Sequence, residues 1–213
     1  MARVRTNLEG CGIAHASDLL AQRWTLLVVR ELLLGPKRFT DLRAGIPGIS
    51  PNVLGQRLRE LEESGLVSRR KLAPPAAAQV YELTEWGHAL EPAVLALGRW
   101  ASRSPSFPQG AEMGADSLVL ALKSTFDPAK AEGVEGSYEL RLGEIPFNIT
   151  LKGGRFKAFR GEAEEPDATI RSESNTIASV VFGENRLGKA LDSGDVVIDG
   201  SRRAVNALFR TLS

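Results

Sequence analysis

The sequence has little of what exported proteins and most enzymes are built on. It holds a single cysteine, Cys11, in 213 residues, so no internal disulfide can form. Its two histidines, His15 and His88, do not combine with Cys11 in the spacing of a metal site. There is no G-x-S-x-G turn to raise a nucleophilic serine. No apolar run approaches the ~20 residues that span a bilayer. The opening MARVRTNLEG carries two arginines but lacks the apolar segment of a secretory signal. These absences lead us to expect a cytoplasmic protein that is no enzyme and needs no metal or cofactor. Gly183–Ala190, GENRLGKA, nearly spells a phosphate-binding loop, but Ala190 stands where a hydroxyl side chain would hold magnesium. We read it as coincidence. Asn148-Ile149-Thr150 is a glycosylation triplet that falls inside an expected strand, where it should be silent.

Neither sign of charge dominates: 27 Lys and Arg face 26 Asp and Glu. The distribution is uneven. Residues 1–103 carry 14 basic and 10 acidic side chains, a net of +4, and residues 104–213 carry 13 and 16, a net of −3. A basic front and an acidic back favour two modules with different partners. SRSPSFPQGAEMG, at 102–114, has the Ser, Pro and Gly content of a linker. The expected layout is a first domain at 1–103, a linker at 104–114 and a second domain at 115–213.

What is present is organised around Ser50–Arg70, SPNVLGQRLRELEESGLVSRR. Ser50 is a helix N-cap and Pro51 a first helical residue. Leu54, Leu58 and Leu61 make one apolar stripe, which places Asn52, Gln56 and Arg59 on the opposite face. Asn, Gln and Arg can read adenine and guanine edges in a major groove. The same pattern also suits an ordinary solvated helix, so the setting decides. Upstream, residues 11–21 suit a helix with Ile13, Ala16, Leu19 and Leu20 inward. Trp24–Leu34 is a core helix ended by Gly35-Pro36. Phe39–Ala44, capped by Thr40, is a short third helix before the turn Gly45-Ile46-Pro47-Gly48. Downstream, Leu66–Leu72 and Val80–Leu83 flank a Pro-Pro loop as a hairpin. Arg69, Arg70 and Lys71 on it lie within reach of phosphates. A last helix is expected over Glu85–Arg103, with Leu90, Val94, Leu97 and Trp100 as its stripe.

Cys11, RWTLLVVRELLLGPKRFTDLRAGIPGISPNVLGQRLRELEESGLVSRR and YELTEWGHALEPAVLALGRWA together resemble the HxlR-type winged-helix regulators of bacteria. The resemblance covers residues ~10–103. It implies a transcriptional regulator that binds an operator in double-stranded DNA as a homodimer, paired through its first and last helices. Carried over by position, Ser50, Asn52, Gln56 and Arg57 fall on the helix that enters the groove, and Arg69, Arg70, Lys71 and Gln79 fall on the wing. The wing tip, Pro74–Ala78, is uncharged, which departs from the family pattern. In the family a cysteine at the place of Cys11 can sense oxidants or electrophiles. Arg3 and Arg5 nearby would make the thiol more acidic. A packing thiol is the alternative.

The second module reads as α+β. An apolar helix over Asp116–Phe126 precedes strands alternating at period two through Tyr138–Leu142, Ile145–Leu151 and Phe156–Ala158. PDATIR at 166–171 and Val196–Ile198 add strands, Asn175–Phe182 and Arg186–Leu191 add short helices, and Ser201 caps a final helix. The expectation is an antiparallel sheet covered on one side by helices. The order resembles the sterol carrier protein-like fold, on PDATIR, the helix closing at Gly183, and ALDSGDVVIDGSRRAVNALFRTL. That resemblance implies an apolar tunnel for a hydrophobic small molecule, lined by Leu118, Leu122, Phe126, Phe147, Ile149, Phe156, Val181 and Phe209. Any of these can equally be core. A lipid carrier whose front half only docks to other proteins remains an alternative to a ligand-controlled regulator.

Overall fold

The computed structural model describes residues 10–73, 77–108, 110–183 and 185–212. The chain divides into two compact units, Met1–Val94 and Leu95–Ser213.

The first unit runs α1 (Gly12–Leu20), α2 (Thr25–Leu32), α3 (Phe39–Gly45), α4 (Pro51–Glu63), β1 (Val67–Lys71), β2 (Gln79–Leu83) and α5 (Glu85–His88). Its core joins Val28, Val29 and Leu32 of α2 to Leu42 of α3, to Leu54, Leu58 and Leu61 of α4, and to Val80 and Leu83 of β2, all buried. β1 and β2 pair antiparallel from Val67↔Leu83 to Lys71↔Gln79. Lys37 extends this hairpin: its N–H donates to the Tyr81 carbonyl at 3.0 Å and its carbonyl accepts from the Tyr81 N–H at 2.8 Å.

A buried charge sits where α2, the α2–α3 turn and α3 meet. Glu31 is 2% exposed. It accepts from Arg30 Nη2 at 2.7 Å and from the Lys37 ammonium. Arg30 Nη2 also donates to the Gly45 carbonyl at 3.2 Å. A side chain at Gly45 would run into the Glu31 carboxylate, so α3 ends on glycine for want of room. A carboxylate taken out of water is tolerated only with such partners. Lys37 thus belongs to the core, not to the basic surface its charge had been counted in.

Three local expectations change. Thr40 does not cap α3. Arg38 is the N-cap, and its N–H donates to Asp41 Oδ2 at 3.3 Å. The expected helix over Glu85–Arg103 is two, α5 and α6 (Glu91–Ala101). Pro92, with no N–H to give and a ring that clashes one turn back, stands at the break. Ile13 and Ala16 of α1 are exposed, not inward.

The second unit runs α7 (Ala115–Thr125), β3 (Gly136–Leu142), β4 (Ile145–Lys152), β5 (Arg155–Arg160), β6 (Ala168–Ser172), α8 (Ser174–Phe182), α9 (Leu187–Asp192), β7 (Val196–Gly200) and α10 (Arg202–Arg210). The sheet order is β5-β4-β3-β6-β7. β3, β4 and β5 form the expected antiparallel meander. β6 instead lies parallel to β3, and β7 antiparallel to β6, so the sheet is mixed. The reason is the β5–β6 connection, which passes β3 instead of turning back. The Ala163 N–H donates to Glu139 Oε2 at 3.0 Å, and Asp167 Oδ2 accepts from the Ser137 N–H at 2.8 Å.

Alternate residues of the strands, Tyr138, Leu140, Phe147, Ile149, Leu151, Phe156 and Ile170, are buried, as period-two patterning requires. The triplet Asn148-Ile149-Thr150 lies within β4. Tyr138 Oη donates to the Ala204 carbonyl at 3.2 Å and ties β3 to α10. Burial, then the charge of Asp167, pushes its pKa up and keeps it a donor. A Cβ at Gly136 would lie 2.6 Å from that hydroxyl. Gly183–Ala190 follows helix α8, not a strand, so it lacks the strand-to-helix setting of a phosphate loop.

Candidate nucleic-acid interface

α4 is built as its sequence implies. Ser50 Oγ accepts from the Val53 N–H at 3.3 Å, with Pro51 next to it. Gly65, at φ +75°, ends the run in a conformation that suits glycine. Leu54, Leu58 and Leu61 are sealed into the core. Asn52 and Arg59 are exposed on the far side. Gln56 is half-buried and its Nε2 donates to Glu60 Oε1 at 3.0 Å. Arg57 departs from its expected place. Its side chain is 11% exposed and its Nη1 lies 2.5 Å from Glu60 Oε2. At 100° per residue Arg57 falls beside the leucine stripe, so it flanks the core instead of facing outward.

The wing carries its charges partly neutralised. Arg69 Nε is 3.6 Å from Glu62 Oε1, and Arg70 Nε donates to Glu82 Oε2 at 2.7 Å. Such exposed pairs are worth only ~0–1 kcal/mol, so both arginines can exchange a carboxylate for a phosphate at small cost. Lys71 and Gln79 face each other across the hairpin, both exposed. Lys71 and Arg59 carry no ion pair among the described residues. Pro74–Ala76 of the wing tip lie outside the described residues. Arg38 and Arg43, at the two ends of α3, are also exposed.

The helices that flank this unit are apolar but uncovered. α1 and α6 contain no buried residue. Ile13 is 83%, Leu97 47% and Trp100 69% exposed.

In the second unit the expected tunnel is closed. The apolar space between sheet and helices measures ≈ 10 Å³, at the bottom of what one water needs. Of the eight expected lining residues, Leu122, Ile149, Phe156 and Phe209 border it, joined by residues such as Leu140, Ile177 and Leu212. Leu118 and Phe147 are fully buried core. Phe126 packs its ring against Phe156 at 5.6 Å. Leu118, Phe126, Phe147 and Val181 are not part of the lining. Leu208 and Phe209 of α10 and Leu212 after it close this space against Leu140, Ile149, Phe156 and Ile170 of the sheet.

Comparison with known proteins bears on both units. Residues 19–106 match the model of the HxlR-like helix-turn-helix family, and residues 118–213 that of the SCP-2 sterol transfer family. The chain is 39% identical over 94 residues to YvaP of Bacillus subtilis, an uncharacterised HTH-type transcriptional regulator, covering 43% of this chain and 87% of that protein. The chain belongs to the HxlR-like helix-turn-helix family. Another HTH-type transcriptional regulator of Bacillus subtilis, YodB, is 39% identical over 88 residues, 41% of this chain and 79% of its own length. The crystal structure of quinone-bound YodB aligns with a TM-score of 0.38 at 36% identity, covering 43% of this chain and 97% of that one.

Cys11, ahead of the residues matched to that family, is half-exposed and forms the N-cap of α1. The backbone N–H of Ala14, then that of Ile13, lowers its thiol pKa against a small opposing effect of burial. No full cap hydrogen bond forms. The acidifying groups are therefore helix N-terminal amides, which favour an anion. Arg3 and Arg5, to which the sequence reading gave that role, lie outside the described residues. No helix among the described residues is long and apolar enough to cross a membrane.

Proposed function

We propose that this chain is a homodimeric, sequence-reading DNA-binding regulator of the cytoplasm, with no catalytic activity of its own. Its winged-helix domain is assigned to 1–103, its linker to 104–114 and its second, control domain to 115–213. The carrying observation is α4: an apolar stripe locked in the core, a capped N-terminus, and an opposite face that offers Asn52 and Arg59 to a groove. Ser50, Gln56 and the wing residues Arg69, Arg70, Lys71 and Gln79 complete the contact set, with phosphates as partners of the cations. One such helix reads only a few base pairs, and a two-fold pair doubles the site. The exposed apolar side chains of α1 and of α6, Ile13, Leu97 and Trp100, support that pairing, since a partner helix would cover them. A gel shift on the region upstream of its own gene should show sequence-preferring binding that weakens steeply with salt. Binding that ignores sequence, or none, would reject the reading.

The second module is assigned a control role through a hydrophobic effector. Because the enclosed space is ≈ 10 Å³, an effector has to select a state in which α10 stands away from the sheet. Native mass spectrometry of the purified protein tests this. A co-purified apolar molecule with no DNA affinity would favour the lipid-carrier alternative instead. A second input rests on Cys11, whose acidified, accessible thiol suits an electrophile or oxidant sensor. Replacing it, Cys11→Ser, should abolish release from DNA by such reagents, and an unchanged response would remove Cys11 from the mechanism.

A further inference from the structure

One carboxylate, that of Glu60, engages two of the side chains placed on α4. Its Oε1 accepts from Gln56 Nε2 at 3.0 Å, and its Oε2 lies 2.5 Å from Arg57 Nη1. Arg57 is nearly buried and Glu60 is 37% exposed on its side chain. The order of anchoring follows from these exposures. Arg57 is fixed by packing beside the leucine stripe, its charge lies against Glu60 without a hydrogen bond from Nη1, and Glu60 accepts the Gln56 N–H.

The chemistry of the partner matters. An ionised carboxylate only accepts. It can therefore engage the NH₂ end of the Gln56 amide and not the carbonyl end, which selects one of the two amide orientations. One N–H of Gln56 is then spent on Glu60. The other N–H and Oε1 remain, and these are the donor and acceptor that the N7 and N6 of adenine require.

We infer that Glu60 is a positioning residue for sequence recognition: it orients the Gln56 amide so that α4 selects adenine at one step of the site. The inference rests on the DNA-reading role proposed above. Glu60 itself touches no base. As a negative charge beside a polyanion it costs overall affinity, and it contributes discrimination. Arg57, expected to read bases, becomes the anchor of this arrangement.

The test is selection of bound duplexes from a randomised DNA library by the full chain and by the variants E60Q, E60A, Q56A and E60Q/Q56A, with thermal melts to establish that each folds. Wild type should prefer adenine at one position of each half-site by about tenfold. In E60Q the new side-chain amide can donate as well as accept, so Gln56 is free to flip. E60Q and E60A should lose most of that preference at that position alone, keep the rest of the profile, and bind random duplex at least as tightly as wild type. In the Q56A background E60Q should change the sequence profile no further, whatever it adds to overall affinity by removing a negative charge, which a purely structural role of Glu60 would not produce. The inference is overturned if E60Q keeps the adenine preference, if it alters all positions alike, or if its effect on the sequence profile persists without Gln56. Wild type selecting no sequence at all would instead overturn the DNA-reading proposal and this inference with it.

Discussion

Gly55→Ala separates the stability of α4 from its function, because the two should move in opposite directions. Gly55 sits in the middle of α4, on the flank of the outward face across from Glu60. Its φ is ordinary, and a Cβ there would meet only Arg59 Nη1, at 3.7 Å. That is a normal van der Waals distance, so alanine fits the free protein without movement. Glycine inside a helix is less favourable than alanine by ~0.5–1 kcal/mol. The variant should gain about that much, which raises the midpoint of a unit of this size by about 2–8 °C. On DNA the same methyl group stands between the helix axis and the groove wall, where absence of a side chain permits close backbone approach. Specific affinity should fall by about tenfold, the equivalent of ~1.4 kcal/mol. Thermal unfolding by circular dichroism and fluorescence anisotropy on a selected duplex read the two effects. A variant that is stabilised yet binds DNA as tightly as wild type would show that this flank of α4 faces no groove. A destabilised variant would refute the helix geometry itself.

Other outcomes follow from particular contacts. Glu31→Gln removes the buried carboxylate that Arg30 and the Lys37 ammonium both engage, and loss of one member of a buried ion pair costs ~3–5 kcal/mol. Urea unfolding should show most of the first unit's stability gone, and a loss under 1 kcal/mol would mean the pair is not buried in solution. Glu139 has its pKa raised by burial but lowered by more through the Ala163 N–H, Arg141 and Arg171, for a net lowering. Its contribution is therefore complete above the unfolded value of ~4.3 and lost as pH falls through the lower folded value. Acid unfolding of the second unit should lose that steepness in Glu139→Gln. If the chain pairs as proposed, Trp100→Glu together with Ile13→Glu should leave a folded monomer in light scattering where the unaltered chain is a dimer, and weaken operator binding by more than tenfold; a dimer that persists would place the interface elsewhere.

Much of this protein was legible in the sequence because periodicity is a local property. Ser50-Pro51, the spacing of Leu54, Leu58 and Leu61, and Gly65 fix a helix and its buried side within 16 residues, since backbone geometry alone repeats at 3.6. The same holds for the strand alternation from Tyr138 to Leu151. What the sequence left undecided depends on groups that meet only after folding. Nothing in KRFTDLR says that Lys37 enters the core while Arg38 and Arg43 stay outside. That follows from Glu31 and the Tyr81 backbone lying where Lys37 must pass. The pairing of Glu60 with both Gln56 and Arg57 is likewise a matter of side-chain conformation that a helical wheel does not contain. The direction of β6 was set by a connection held to Glu139 and Ser137, 24 and 30 residues away. The aromatic and aliphatic residues of the second unit would line a tunnel or fill a core equally well by composition. Only the approach of α10 to the sheet decided that they close upon each other, because packing density is a property of the assembled layers and not of any one of them.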